Sequence, residues 1–155
     1  MSVTKMLKGH ELFRSLSFEA VEKVSSFSGL KEFRKDENVF SSGVVGSHFF
    51  VLQEGRVNLR LPADAHEASL VVGRIEKGDI FGLAPLLGAG RHTTTAQCAE
   101  PCKALAIQVE PLRELLEQNS LVGLRIMTVA AQAYFTRYIE TLHRVQKVIN
   151  EIGAI

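Results

Sequence analysis

Apolar residues recur with different periods along the chain, and each period covers its own stretch. In residues 1–29 they recur at helical spacing, and Ser17 precedes the clearest run as a capping residue. In residues 30–109 short apolar runs are separated by glycine, proline, aspartate and serine, a pattern typical of a sandwich or barrel of short strands. Residues 110–153 return to helical spacing, with Pro111 near a helix start. The pattern predicts one mainly β domain with helices at both ends.

The last predicted helix has an unusually regular apolar seam. It begins at Ser120, which can cap the helix, and apolar or small residues then follow in steps of three and four for more than four heptads. A helix that only covers its own domain usually shows a wider stripe with a period of 3.6 residues. We therefore expect a parallel homodimer through this helix, and a helix that merely covers the strands is the alternative. The seam positions are Leu121, Leu124, Thr128, Ala131, Phe135, Tyr138, Leu142, Val145, Ile149 and Ile152.

Composition and charge narrow the classes of partner. The chain has 155 residues, of which 46% are hydrophobic and 23% charged, and its formal net charge is +1. A net charge this close to zero gives no positive electrostatic field that would attract nucleic acid or an anionic membrane. No stretch approaches the ~20 apolar residues that a membrane span needs. Two cysteines are too few for a disulfide framework. We expect a cytoplasmic protein with no nucleic-acid or membrane partner through this chain.

Histidine and cysteine spacing gives little support to catalysis. A metalloenzyme built on such strands needs two histidines and a carboxylate on adjacent strands, and the five histidines are not spaced that way. Haem needs an axial ligand facing a pocket, and no attachment motif is present. Cys98 and Cys102 flank an expected turn. Two roles are open for them: small buried apolar residues, or the two thiols of a redox switch. We expect no metal site and no enzyme activity. The polar segment 62–69 is expected to form a hairpin tip.

Six stretches in a fixed order resemble a known family. They are LFRSL, FRKDENVFSSG, HFFVLQEGRVNL, EKGDIFG, FGLAPLLGAGRHTTTA and LRELLEQNSLVGLRIM. Together they resemble the cyclic-nucleotide-binding domain of the catabolite activator protein and protein kinase A regulatory subunit family, from about Leu7 to Leu142. The resemblance implies a β-roll, a double-stranded β-helix of jelly-roll type, with short N-terminal helices and a long C-terminal dimerisation helix. It also implies a non-enzymatic, ligand-sensing regulatory module.

The transcription factors of this family carry a helix-turn-helix after the long helix, and this chain has none. We therefore expect either a free-standing sensor or the N-terminal sensor part of a longer regulator.

The stretch FGLAPLLGAGRHTTTA falls on the phosphate-binding cassette that the resemblance implies. Family members that bind cAMP have a glutamate after Phe-Gly, for the ribose hydroxyl, and an arginine nine or ten positions later, for the phosphate. Here Leu83 stands at the glutamate position, and His92 stands at the arginine position unless a shorter loop places Arg91 there. We expect weak or absent cAMP binding by a degenerate cassette. Its members are Phe81, Gly82, Leu83, Ala84, Arg91, His92, Thr93 and Thr94.

The ligand of this cassette stays open at this point. N–H groups around Gly82, threonine hydroxyls, and Arg91 or His92 can bind a cyclic nucleotide or another small phosphorylated anion. Pro85 interrupts the short helix that the family places here. The alternative is a vestigial pocket filled by Leu83 and its neighbours, in a module that only dimerises or binds a partner protein.

Overall fold

The computed structural model describes residues 2–62 and 69–153, and it is a β-roll with helices at both ends. The first helices are α1 (Val3–Lys8), a single 3₁₀ turn (Glu11–Phe13) and α2 (Phe18–Ser26). The strands are β1 (Ser28–Phe33), β2 (Asn38–Phe40), β3 (His48–Glu54), β4 (Val57–Arg60), β5 (Val71–Ile75), β6 (Ile80–Phe81), β7 (Thr95–Cys98) and β8 (Cys102–Gln108). The chain then forms α3 (Val109–Gln118) and α4 (Ser120–Glu151). The predicted fold class is confirmed.

The strands form two antiparallel sheets of four strands each. One sheet has the order β1-β8-β3-β6 and the other has the order β2-β7-β4-β5. β3 contributes to two layers at once, because successive side chains of a strand point to opposite faces. Phe49 and Val51 face the helices, whereas Phe50 and Leu52 face the second sheet. This double burial explains why β3 is an unbroken apolar run in the sequence.

Helix ends differ from the sequence expectations in two places. Ser17 caps α2 as predicted, since its hydroxyl accepts from the Ala20 N–H at 3.1 Å. The helix ends at Ser26, however, and Gly29, the last residue of the predicted helical stretch, lies inside β1. The cap of α4 is Asn119 rather than Ser120, because a single residue separates α3 from α4 and its side chain accepts from the Val122 N–H.

The long helix α4 lies across the roll. Ile126 and Ala130 are fully buried in its N-terminal half. Further along, the Arg137 guanidinium donates to the Ile80 carbonyl at 2.7 Å and the Thr141 hydroxyl donates to the Val72 carbonyl at 3.1 Å. These bonds hold α4 over two edge strands, β6 of the first sheet and β5 of the second.

The segment 62–69, expected to be a hairpin tip, lies almost wholly outside the described residues, although β4 and β5 on either side pair antiparallel. Despite the 32-residue length of α4, the described part of the chain has no helix apolar enough over its length to cross a membrane.

Candidate functional site

A cavity of about 350 Å³ lies between the second sheet, the cassette and α4. Its volume is within the range of small-molecule sites. The sheet side is apolar and consists of Phe40, Leu59, Leu61 and Val72. The cassette contributes Gly82, Ala84, His92, Thr93 and Thr94. The helix contributes Tyr134, Arg137, Tyr138 and Thr141.

The cassette forms a run of turns from Ala84 to Gly88 in place of a regular helix. The Arg113 guanidinium of α3 fixes this run, since it donates to the carbonyls of Pro85 at 2.7 Å and Leu86 at 3.0 Å. Among the described residues, the N–H groups of Leu83 and Ala84 donate to no acceptor. Of these two residues, Ala84 also lines the cavity.

The Leu83 side chain does not line the cavity. It is fully buried in the core between the first sheet and the helices, together with Leu86. Gly82 and Ala84, on either side of it, line the cavity instead. The expectation that Leu83 fills the pocket is wrong in geometry, because this side chain points to the opposite side of the cassette backbone. Phe81 is also buried, in the core between the sheets.

The Arg91 side chain lies outside the cavity. It is exposed, and its guanidinium donates to the Gly43 carbonyl at 2.8 Å. The Arg91 backbone forms a bridge to Val45 in the same loop. The cassette arginine therefore fixes a surface loop in this structure.

His92 is buried and stacks on an aromatic ring. Its imidazole lies 3.8 Å from the Phe40 ring, centroid to centroid, with only 15° between the planes. A Cβ placed on Gly46 would lie 2.7 Å from His92 Nε2, so glycine makes room for the ring. Burial lowers the pKa of His92, so that the neutral imidazole is favoured near pH 7. The residue at the family's arginine position thus contributes a flat, uncharged surface to the cavity.

Arg137 is the charged cavity residue that the sequence analysis missed. Its guanidinium lies 5.7 Å from the centre of the Tyr134 ring and is largely desolvated, which lowers the pKa of Arg137 from its ordinary high value. An arginine stays protonated even so. A signal was present in the sequence, because Arg137 continues the buried face of α4 that passes through Ala130 and Tyr134. A cation on a buried helix face is unusual and points to a specific role.

The predicted seam lies on a face of α4 that borders the buried one, and its side chains are largely exposed. Nine of the ten seam residues are exposed, and Ile149 is half-buried. Thr128 and Ala131 are small and lie in the middle of the stripe. Tyr138 belongs to both faces, since it lines the cavity and its side chain is 58% exposed on the seam.

Both cysteines are free and buried. Cys98 ends β7 and Cys102 begins β8, and these strands lie in different sheets. Burial, together with the neighbouring Cys102 thiol, raises the pKa of Cys98 to about 12, which disfavours the reactive thiolate. Elsewhere, no three His, Cys, Asp or Glu side chains of the described residues come together in a way that could hold a metal ion.

Comparison with known families agrees with this geometry. The sequence pattern of the cyclic nucleotide-binding domain matches residues 30–119, which is more than half of the chain. The match runs through both sheets and the cassette and ends just after α3. The chain therefore belongs to the cyclic nucleotide-binding domain family.

Individual relatives align with different lengths of the chain. A cAMP-dependent protein kinase regulatory subunit from Mycosarcoma maydis is 39% identical over 93 residues, covering 59% of this chain and 17% of the relative. A cyclic AMP receptor protein from Thermus thermophilus is 25% identical over 127 residues, which cover 81% of this chain and 58% of the relative. The chain thus spans less than two thirds of the length of each relative.

Among solved structures, a cyclic nucleotide-binding protein from Geobacter metallireducens superposes with a TM-score of 0.76. It is 25% identical, and the alignment covers 89% of this chain and 99% of that one. The sensor domain of the transcriptional regulator DNR from Pseudomonas aeruginosa gives 0.72 at 19% identity, covering 83% and 91%. The second likeness concerns the fold alone.

Proposed function

We propose that this protein is a non-enzymatic, ligand-sensing module that works as a parallel homodimer, with α4 joining the cavity to the dimer interface. The observation behind this proposal is the position of Tyr138, which lines the cavity and is also largely exposed on the seam. A ligand that contacts Tyr138 in one arrangement of α4 and not in another shifts the balance between the two arrangements. The same side chain then changes the surface offered to the partner helix.

The dimer is argued from the exposed stripe. Leu124, Phe135 and Val145 are all at least half exposed, on a helix whose other face is buried against the roll. A contiguous apolar stripe of this length marks an interaction surface. A second copy is the occupant that fits, because steps of three and four residues are the repeat with which two identical helices interlock. A helix of a different protein is the other possible outcome.

The relatives support a cyclic nucleotide or another small phosphorylated anion as the ligand. Two of them are named for cyclic AMP, and a solved regulatory domain of Toxoplasma gondii protein kinase A is a complex with cAMP. The contact set for cAMP is nevertheless incomplete here. No carboxylate lines the described part of the cavity, Arg91 lies outside it, and His92 is favoured as the neutral form. An unpaired ribose hydroxyl costs roughly 1–3 kcal/mol, or about one to two powers of ten in affinity.

Thermal unfolding with added ligands tests the proposal. We expect at least one anion from a panel of cAMP, cGMP, AMP and aromatic carboxylates to raise the melting temperature. At 100 times its Kd a ligand adds about 2.7 kcal/mol, or very roughly 5–10 °C for a chain of this size. Thr94→Phe places a large ring in the cavity and should abolish the shift. Arg91→Ala, outside the cavity, should preserve it.

Two outcomes would contradict parts of this proposal. If no compound raises the melting temperature, the pocket is vestigial and the module only dimerises. If cAMP binds with a micromolar Kd or tighter, the cassette is not degenerate in the way its side chains suggest.

We infer that the output of the sensor passes to a further partner, in another protein or in another part of a longer regulator. The long relatives, of which this chain matches only part, support this idea. The two free, buried thiols agree with a reducing compartment, and we propose the cytoplasm.

A further inference from the structure

The charge available to a ligand comes from an unexpected side of the cavity. Among the described residues, Arg137 is the one lysine or arginine that lines it, and no aspartate or glutamate does. Arg91 is held outside by the Gly43 carbonyl. The positive charge of the site is thus on α4 and not on the cassette.

The Arg137 guanidinium has unused hydrogen-bonding capacity. One of its nitrogens donates to the Ile80 carbonyl at 2.7 Å, and no other acceptor for it occurs in the described part of the chain. It forms no ion pair within 4.0 Å there, although the charges of Asp79 and Glu140 act on it from the side of a neighbouring cavity. A guanidinium has five N–H donors in a planar fork that matches a carboxylate, sulfonate or phosphate. Several donors therefore remain for a ligand.

The rest of the cavity wall suits an apolar, flat body. Leu59, Val72 and the stacked rings of Phe40 and His92 give it an apolar surface, and the hydroxyls of Thr93 and Thr94 stand at its cassette side. One guanidinium balances one negative charge. A dianion would leave a second charge unpaired in a partly desolvated site, which is unfavourable.

We propose that Arg137 is the anion anchor of this cavity, and that the cavity takes an organic monoanion with a flat apolar body. The class includes aromatic carboxylates and sulfonates and also cyclic nucleotides bound through α4. This inference rests on the proposed ligand-sensing function and adds to it the residue that binds the charge. It also assigns a route to a signal, because an anion bound to the remaining donors of Arg137 adds a contact that depends on the position of α4.

The test uses a pair of fluorescent probes that differ in charge. 1-Anilinonaphthalene-8-sulfonate is an aromatic monoanion, and N-phenyl-1-naphthylamine is its uncharged counterpart. We expect Arg137→Gln to weaken binding of the sulfonate to the cavity at least tenfold and to change binding of the neutral probe less than twofold. Arg91→Gln, the matched loss of a positive charge outside the cavity, should change neither. Arg137→Lys keeps the charge without the fork and should fall between Arg137→Gln and the parent protein.

The cavity component of binding is the part that Thr94→Phe removes, which separates it from any probe bound on the exposed seam. If Thr94→Phe removes binding and Arg137→Gln leaves the sulfonate affinity unchanged, the anchor is wrong and the ligand-sensing function stands. If Arg91→Gln weakens the sulfonate instead, the charge belongs to the cassette loop. If Thr94→Phe removes no binding of either probe, the cavity takes neither molecule and the anchor fails, whereas the thermal-unfolding panel decides the sensing function. If circular dichroism shows that Arg137→Gln is unfolded, Arg137→Lys serves as the test in its place. An unchanged sulfonate affinity in Arg137→Lys then overturns the anchor.

Discussion

Two charges placed in the α4 seam should dissociate the proposed dimer. The variant is Phe135→Asp with Leu142→Asp, and these residues are 64% and 44% exposed in the isolated chain. Complete burial of such a side chain is worth roughly 1.5–3 kcal/mol, so the surface still exposed is worth about 1–2 kcal/mol for each residue. Over the four side chains of a dimer this amounts to about 5 kcal/mol, or between three and four powers of ten in Kd. Desolvation of the new carboxylates adds to the loss.

Sedimentation velocity at about 20 µM measures the result. We expect the parent protein to be a dimer and the double variant a folded monomer that keeps the circular dichroism spectrum of the parent protein but melts at a lower temperature, because it lacks the stabilisation that association gives. Thr136→Asp with His143→Asp provides the control, because these neighbouring positions lie one residue beyond the seam and are exposed. The control should remain dimeric. A parent protein that is already a monomer, or a double variant that stays dimeric, would refute the seam and the transmission of a signal through it.

Two further predictions concern the cassette. Gly82 has φ +72°, and a Cβ there would lie 2.9 Å from a Phe40 ring carbon. Gly82→Ala should therefore lower the free energy of unfolding, measured in urea, by roughly 1–3 kcal/mol more than Gly88→Ala does. Gly88 also has a positive φ, but an added Cβ would have no neighbouring atom within 4 Å. Equal losses of stability in the two variants would show that the cassette adjusts to the extra methyl group without strain. Because burial lowers the pKa of His92, the unfolded chain binds more protons near pH 6 than the folded one does. The free energy of unfolding should therefore fall as the pH is lowered through about 6.5, and fall less in His92→Phe; identical pH profiles would mean that His92 is solvated.

The presence of the strands and of the helices followed from local patterns that tertiary contacts reinforce, whereas the order of the strands in the two sheets was not predicted. The period of two in β4 and the period of 3.6 in α2 record which side of each element is buried, and burial dominates the choice of side chains. The cap of α4 was misplaced by one residue because Asn119 and Ser120 are both good caps. Only the single-residue connection to α3 decides between them.

The directions in which the cassette side chains point could not be predicted from a periodic pattern in the sequence. The sequence places Leu83 and Arg91 in the cassette, but a run of turns has no fixed period that would send them inward or outward. Arg91 lies outside because the Gly43 carbonyl, far away in the chain, accepts from it. Arg137 was overlooked for the opposite reason, since a regular heptad seam drew attention to one face of α4 and the cation lies on the face that borders it.

The most direct measurement of the central claim follows the seam while the cavity fills. Methyl resonances of Leu59 and Val72 report the cavity, and those of Leu142 and Val145 report the seam without lining the cavity. In a titration with 1-anilinonaphthalene-8-sulfonate or cAMP, a joint, saturable change of both sets with one Kd is the predicted result. Saturable shifts of the cavity methyls alone, or none at millimolar ligand, would contradict a sensor that signals through α4.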